Sequence, residues 1–156
     1  MKTITVVSDS HGNRQALDGL ERIFSESDYI IHLGDTSSDG SYILKKFPEK
    51  TILLNGNCDI WTFGENERVI EIEGVKIFAC HGHRYSVKST FAPLAKRAKE
   101  LGCSIALYGH THDADEREID GVMLLNPGTL SRYSQNSYLY LVINNGKFTQ
   151  KIVRIN

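Results

Sequence analysis

The stretch LYGHTHDAD, residues 107–115, places His110 and His112 two residues apart, directly after an apolar run and a glycine. Side chains at i and i+2 of a strand point the same way, so two imidazoles at a strand end can lean on one object. Other segments offer similar groups. SDSHG carries Asp9 and His11, LGD carries Asp35, NGNCD carries Asn57 and Asp59, and CHGH carries His81 and His83. Each follows a strand-like run and each contains a glycine, which lets backbone approach closely. Five of the six histidines fall in these motifs. A single histidine is most simply a hydrogen-bonded core or surface residue. Five strand-end motifs are hard to produce that way, and burying two carboxylates among imidazoles without a cation is costly. A metal site removes that cost.

Asp9, His11, Asp35, Asn57, His81, His110 and His112 make seven side chains, too many of mixed N/O type for one ion. Two ions sharing one carboxylate accommodate them. The cysteines at 58, 80 and 103 match no zinc-binding spacing. Carboxylate, amide and imidazole together suit Mn, Fe, Zn or Ni.

The elements that must position these groups follow from apolar periodicity. Ile4 to Val7, Tyr29 to Leu33 and Thr51 to Leu54 read as buried strands. Between the first two, Asn13 is placed to cap one helix with apolar positions at Ala16, Leu17, Leu20, Ile23 and Phe24. A shorter helix around Tyr42 to Phe47 stops at Pro48. This βαβαβ order predicts parallel strands with crossover helices. Sites in such sheets gather beyond the carboxyl ends of the strands, where the motifs stand. Further on, Glu73-Gly74, Asp120-Gly121 and Asn145-Gly146 read as hairpin turns. A helix over residues 92–101 ends at Gly102, and residues 104–108 read as a strand. The last third is expected to form a β meander. The fold class is α/β, with two mixed sheets packed together and helices outside.

The 156 residues predict one domain, 1–156, with no linker, repeat or composition shift. A formal net charge of −1 argues against a nucleic-acid binder that relies on bulk positive charge. Nucleic acid is therefore expected only as a small nucleotide substrate. No apolar run approaches membrane-spanning length, and no apolar signal core follows the start. With free thiols, this predicts a cytoplasmic protein.

The order D-x-H, GD, GN-x-D, GH, GH-x-H resembles the calcineurin-like metallophosphoesterases. More narrowly, the chain resembles their small uncapped phosphodiesterase branch, which includes relatives similar to the retromer scaffold subunit. The likeness runs from Asp9 to about Ser131. It implies a four-layer α/β/β/α sandwich and two divalent ions, Mn²⁺ first, with Ni²⁺, Fe²⁺ or Zn²⁺ as substitutes. It also implies roles. Asp9, His11 and His112 would hold one ion, Asn57, His81 and His110 the other, and Asp35 would bridge both. Two such ions, about 3.5–4 Å apart, would clamp phosphate oxygens and ionise a bridging water that attacks a small phosphodiester. No covalent protein intermediate is then needed.

Cys58 stands where larger family members carry a histidine that protonates the leaving group. A thiol is a weak donor, so a slower catalyst that prefers good leaving groups is expected. His83 is placed to touch the substrate phosphate or to support a ligand. His32 reads as a hydrogen-bonded core histidine, and Asp59 as a loop carboxylate. NPGTLSRYS, residues 126–134, resembles the family's late Asn-Pro-Gly-Ser turn, with Arg132 near substrate or simply on the surface. Trp61 and Phe63 would stack on a substrate ring, join a dimer contact or pack locally. Exposed strand edges permit a homodimer or higher oligomer. The competing functional class is a scaffold of the same fold that binds proteins and hydrolyses little; a DNA nuclease is disfavoured by charge and by the lack of an added DNA-binding domain.

Overall fold

The computed structural model describes residues 1–59 and 64–155. Trp61 and Phe63 lie outside the described residues. Strand β1 (Lys2–Val7) leads to helices α1 (Arg14–Gly19) and α2 (Glu21–Glu26), then β2 (Tyr29–His32), α3 (Ser37–Lys46) and β3 (Thr51–Leu53). The hairpin of β4 (Glu67–Ile72) and β5 (Val75–Cys80) follows, then a 3₁₀ turn (His83–Tyr85), α4 (Ala92–Glu100) and β6 (Ile105–Leu107). Two hairpins complete the chain, β7 (Asp115–Ile119) with β8 (Val122–Asn126) and β9 (Asn136–Asn144) with β10 (Lys147–Ile155).

The strands form two five-stranded mixed sheets, ordered β10-β9-β1-β2-β3 and β4-β5-β6-β8-β7. In the first, β1, β2 and β3 are parallel, and in the second, β5, β6 and β8 are. Period-2 alternation sends successive side chains into different layers. Ile4, Val6, Ile31, Leu139 and Leu141 meet Ile77, Ala79, Ile105 and Leu107 between the sheets. Val7, Ile30 and Tyr138 face Leu17, Phe24 and Ile43 of α1, α2 and α3. Phe78, Ala106 and Leu124 face Leu94, Ala95 and Ala98 of α4. The result is a four-layer α/β/β/α sandwich. Burying each large apolar side chain contributes about 1.5–3 kcal/mol.

All three hairpin turns occur where expected, and both central residues of each have positive φ. That conformation matches the twist of the flanking strands. Helix α4 ends in a Schellman arrangement, with Gly102 at φ +73° and the Cys103 amide on the Ala98 carbonyl at 2.9 Å.

Two expectations need correction. The helix expected after Asn13 is two helices. The Leu20 amide bonds the Leu17 carbonyl at 3.0 Å, a three-residue step that ends α1, while Leu17, Leu20 and Phe24 still share one core. The C-terminal third is not one meander. The β7–β8 hairpin joins the second sheet with β8 parallel to β6, whereas β9 crosses to the first sheet and pairs antiparallel with β1. Among the described residues, no helix is long and apolar enough to cross a membrane.

Candidate metal centre

The carboxyl ends of β1 and β2 in one sheet face those of β5 and β6 in the other. Bonds within each sheet and between the two fix the loops. The Gly109 amide donates to the His81 carbonyl at 2.8 Å, the Asp9 amide to the Gly34 carbonyl at 2.9 Å, and the Thr129 hydroxyl to the Asp9 carbonyl at 2.8 Å. Asp9, His11, Asp35, His110 and His112 all have positive φ, between 44° and 69°. Non-glycine residues there cost about 1–3 kcal/mol each, and such strain concentrates at functional sites.

Two clusters result. Asp9, His11 and His112 bring one ligand atom each within 4.8 Å of one another, and so do Asp35, His81 and His110. The two histidines of GHTH thus belong to different clusters. Asn57 is exposed on the loop beside the second, where the adjacent Cys58 amide donates to Asp35 Oδ1 at 2.9 Å.

Each buried carboxylate has one oxygen tied down and one presented. Asp9 Oδ2 accepts from the Ser8 hydroxyl at 2.5 Å and the His110 amide at 3.0 Å. Its Oδ1 has no hydrogen-bond partner among the described residues and faces the Nε2 atoms of His112 at 3.3 Å, His81 at 3.7 Å and His11 at 3.8 Å. Asp35 Oδ2 faces His81 Nε2 at 3.3 Å and His11 Nε2 at 3.9 Å. Burial raises the Asp35 pKa, but the neighbouring His81 ring and the hydrogen bond from the Cys58 amide outweigh that and hold it well below the usual range.

His81 Nδ1 donates to the Leu33 carbonyl at 2.9 Å, which leaves the lone pair of the neutral ring on Nε2. That atom is buried without a hydrogen-bond partner among the described residues and points at two carboxylates. His11 Nε2 and His112 Nε2 also face each other at 3.3 Å. Lone pairs from three imidazoles and two carboxylates converge where only a cation satisfies them all. The donor set fits divalent metal ions.

The surroundings explain the motif glycines. A Cβ on Gly56 would overlap Asp35 Oδ1 and stand 2.6 Å from the Asp35 nitrogen. One on Gly109 would overlap Ser8 Oγ and stand 2.7 Å from Asp9 Oδ2. His32 is a buried core histidine, as expected. Its Nδ1 accepts from the Gly34 amide at 3.1 Å, so its Nε2 carries the proton toward Ser10 Oγ at 2.8 Å. Asp59 accepts from the Asp35 and Gly56 amides at 2.9 and 2.7 Å, a loop clamp. Asn13 caps α1 through Ala16 and donates to the Leu130 carbonyl at 2.7 Å. His83 lies tilted against both His81 and His110, with ring centroids 5.4 and 6.1 Å apart, and its Nδ1 is buried without a partner among the described residues. Arg132 is exposed.

Three supporting residues escaped the sequence reading. Ser8 orients Asp9. Asp39, fully buried, accepts from the Gly12 amide at 2.8 Å and Arg14 Nε at 2.9 Å, and so fixes the loop after His11. Asn126 donates to Thr111 Oγ1 at 2.9 Å, between the two histidines of GHTH. Ser8 and Asn126 lie inside quoted motifs; Asp39 carries no local signal.

This fold and donor set define a metal-binding phosphoesterase class, and comparison agrees. The calcineurin-like phosphoesterase superfamily domain matches residues 1–146, so the chain belongs to that family. It is 31% identical over 150 residues to the probable metallophosphoesterase YsnB of Bacillus subtilis, covering 94% of this chain and 87% of that one. A phosphodiesterase of Methanocaldococcus jannaschii is 29% identical over 154 residues, covering 83% and 85%. Among solved structures, a Streptococcus pneumoniae protein described as a predicted phosphoesterase superposes with a TM-score of 0.83 at 27% identity, over 98% of this chain and 89% of that one. Vps29 of Entamoeba histolytica, solved with zinc, shares the fold with a TM-score of 0.77 at 23% identity, over 99% of each chain.

Proposed function

We propose that the protein is a phosphodiesterase that uses two divalent ions to hydrolyse small phosphodiesters. Asp9, His11 and His112 would hold one ion, Asn57, His81 and His110 the other, and Asp35 would serve both. Manganese is the first choice of metal. The carrying observation is the convergence of Asp9 Oδ1 and His81 Nε2, both buried and without hydrogen-bond partners among the described residues, on the space between the clusters. Bound there, divalent ions supply positive charge for phosphoryl oxygens and lower the pKa of water.

The chain's own residues prepare that chemistry. Ser8, the His110 amide and the Cys58 amide each anchor one carboxylate oxygen, so the other can point only into the site. The Leu33 carbonyl fixes the His81 tautomer. His83 stands beside His81 and His110, placed to meet a substrate oxygen. Cys58 is exposed, and desolvation together with the Asp35 carboxylate raises its thiol pKa. A thiol donates weakly, which favours esters with good leaving groups.

The test is to strip the protein with a chelator and restore Mn²⁺, Ni²⁺, Zn²⁺ or Mg²⁺ singly. Each form is assayed on bis-p-nitrophenyl phosphate and p-nitrophenyl phosphate. Metal-restored cleavage, faster on the diester, supports the proposal. Tight metal binding with no turnover refutes it and turns attention to protein partners.

A further inference from the structure

The two long sides of the sandwich differ. On one, the chain covers the end of β3 itself: the Asn55 amide donates to the Glu65 carbonyl at 2.7 Å, and the Glu65 amide to the Leu53 carbonyl at 3.2 Å. On the other, β10 ends the first sheet and β7 ends the second. Among the described residues, neither strand makes a backbone bond from its outer side. β10 runs for nine residues without proline or glycine. An unpaired edge of that kind is a template for a further strand.

A groove of about 470 Å³ lies between the two edges, lined by Asp115 and Glu116 of β7 and by Gln150, Lys151, Ile152 and Arg154 of β10. Alternation sorts the side chains. Phe148 and Ile152 pack on the core between the sheets, whereas Val153 and Ile155 pack on the helix side, so Arg154 shares the inter-sheet face with Ile152. Ile119 packs toward α4, and the Arg117 guanidinium lies 4.1 Å from the Phe91 ring centroid, so Glu116 and Glu118 take the inter-sheet face of β7.

The edges carry opposite charge. β10 presents Lys147, Lys151 and Arg154, and β7 presents Glu116 and Glu118. All five are exposed, and none makes an ion pair or hydrogen bond among the described residues. Arg117, the one cation of β7, is already held by Asp115 at 2.6 Å. The directions are opposed as well. β10 runs with β1 toward the metal centre, and β7 runs against β6, away from it.

We infer that this side of the sandwich binds a second copy of the chain, edge to edge, about a two-fold axis that runs along the strands through the groove. Half a turn about that axis lays β10 of each copy antiparallel to β7 of the other. Each sheet then continues into the opposite sheet of the second copy, over about 17 Å for the five residues of β7. Levels along the strands are kept, so Glu116 meets Arg154 of the second copy on one face, and the symmetry repeats that pair. An axis normal to the sheets would instead set β10 against β10 and β7 against β7, with like charges opposed. The cations of β10 therefore guard it against its own kind and suit it to β7. Both metal centres open at the same end of this dimer. The surface is independent of the phosphodiesterase reading.

The test is sedimentation equilibrium of the full chain from about 1 to 500 µM, a range that brackets weak and moderate association. The expected result is a reversible dimer that added salt weakens. Glu116→Arg or Arg154→Glu alone should raise the dissociation constant at least about ten-fold, because each reversal acts at two contacts. The two together should restore dimerisation to within about three-fold of the wild type. Circular dichroism that matches the wild type shows that the variants fold. A monomer over the whole range overturns the inference. So does a dimer that neither single reversal weakens, or a double reversal that stays monomeric. A dimer that Arg154→Glu strengthens identifies pairing of like edges and overturns the crossed arrangement.

Discussion

His32 Nε2 lies 2.8 Å from Ser10 Oγ, a buried hydrogen bond that joins the loop of Asp9 and His11 to the strand leading to Asp35. The same ring accepts from the Gly34 amide at 3.1 Å. One neutral imidazole thus braces both acidic loops from behind.

His32→Ala should destabilise the metal-free protein by roughly 2–4 kcal/mol, because the Ser10 hydroxyl and the Gly34 amide lose a buried partner and a cavity remains. His32→Gln, which can keep one bond, should cost about half as much. Urea unfolding midpoints measure both.

Burial lowers the His32 pKa below its ordinary 6.5. Between the lowered value and 6.5, the unfolded chain binds more protons than the folded one. The contribution to stability is therefore full above 6.5 and falls as pH drops through this window toward the folded value. Unfolding of metal-free protein followed from about pH 8 to pH 5 should show this decline, and His32→Gln should flatten it. An equal slope in the variant would assign the decline to other groups.

Gly56→Ala should reduce metal affinity at least about ten-fold and cost about 1–3 kcal/mol of stability. The added methyl collides with the Asp35 carboxylate and the backbone behind it. Metal titration and urea denaturation report the two effects separately. Unchanged metal binding would show that Asp35 can move without loss.

Asp35→Ala should abolish both hydrolysis and the rise in thermal midpoint on adding metal. Ligand-linked stabilisation amounts to about 2.7 kcal/mol at a hundred-fold excess over Kd, so the wild-type shift is large enough to read. Full metal-dependent activity in the variant would remove the shared-ligand role.

Cys58→His should speed cleavage of alkyl diesters by about ten-fold or more and leave aryl diesters nearly unchanged. A histidine there supplies an acid that the thiol does not. If alkyl esters gain nothing, Cys58 does not explain a preference for good leaving groups.

Much of this molecule is written locally. Near-continuous apolar runs at Ile4–Val7 and Ile105–Tyr108 reveal strands buried on both faces, the three X-Gly pairs mark hairpins, and glycine beside Asp or His marks the strand ends that carry the site. These signals sit within a few residues of each other, so sequence order alone displays them. By itself, the sequence determined the donor set, the order of the elements and the family resemblance. The tertiary structure decided what depends on distant pairing. Asp9 and His112 are separated by 103 positions, yet their ligand atoms stand 3.3 Å apart because β1 and β6 lie in facing sheets. That β9 leaves β8 for β1, that Asp39 holds the Gly12 amide from another helix, and that His32 chooses one tautomer are equally nonlocal. Each depends on strand register and sheet packing, which no window of neighbouring residues contains.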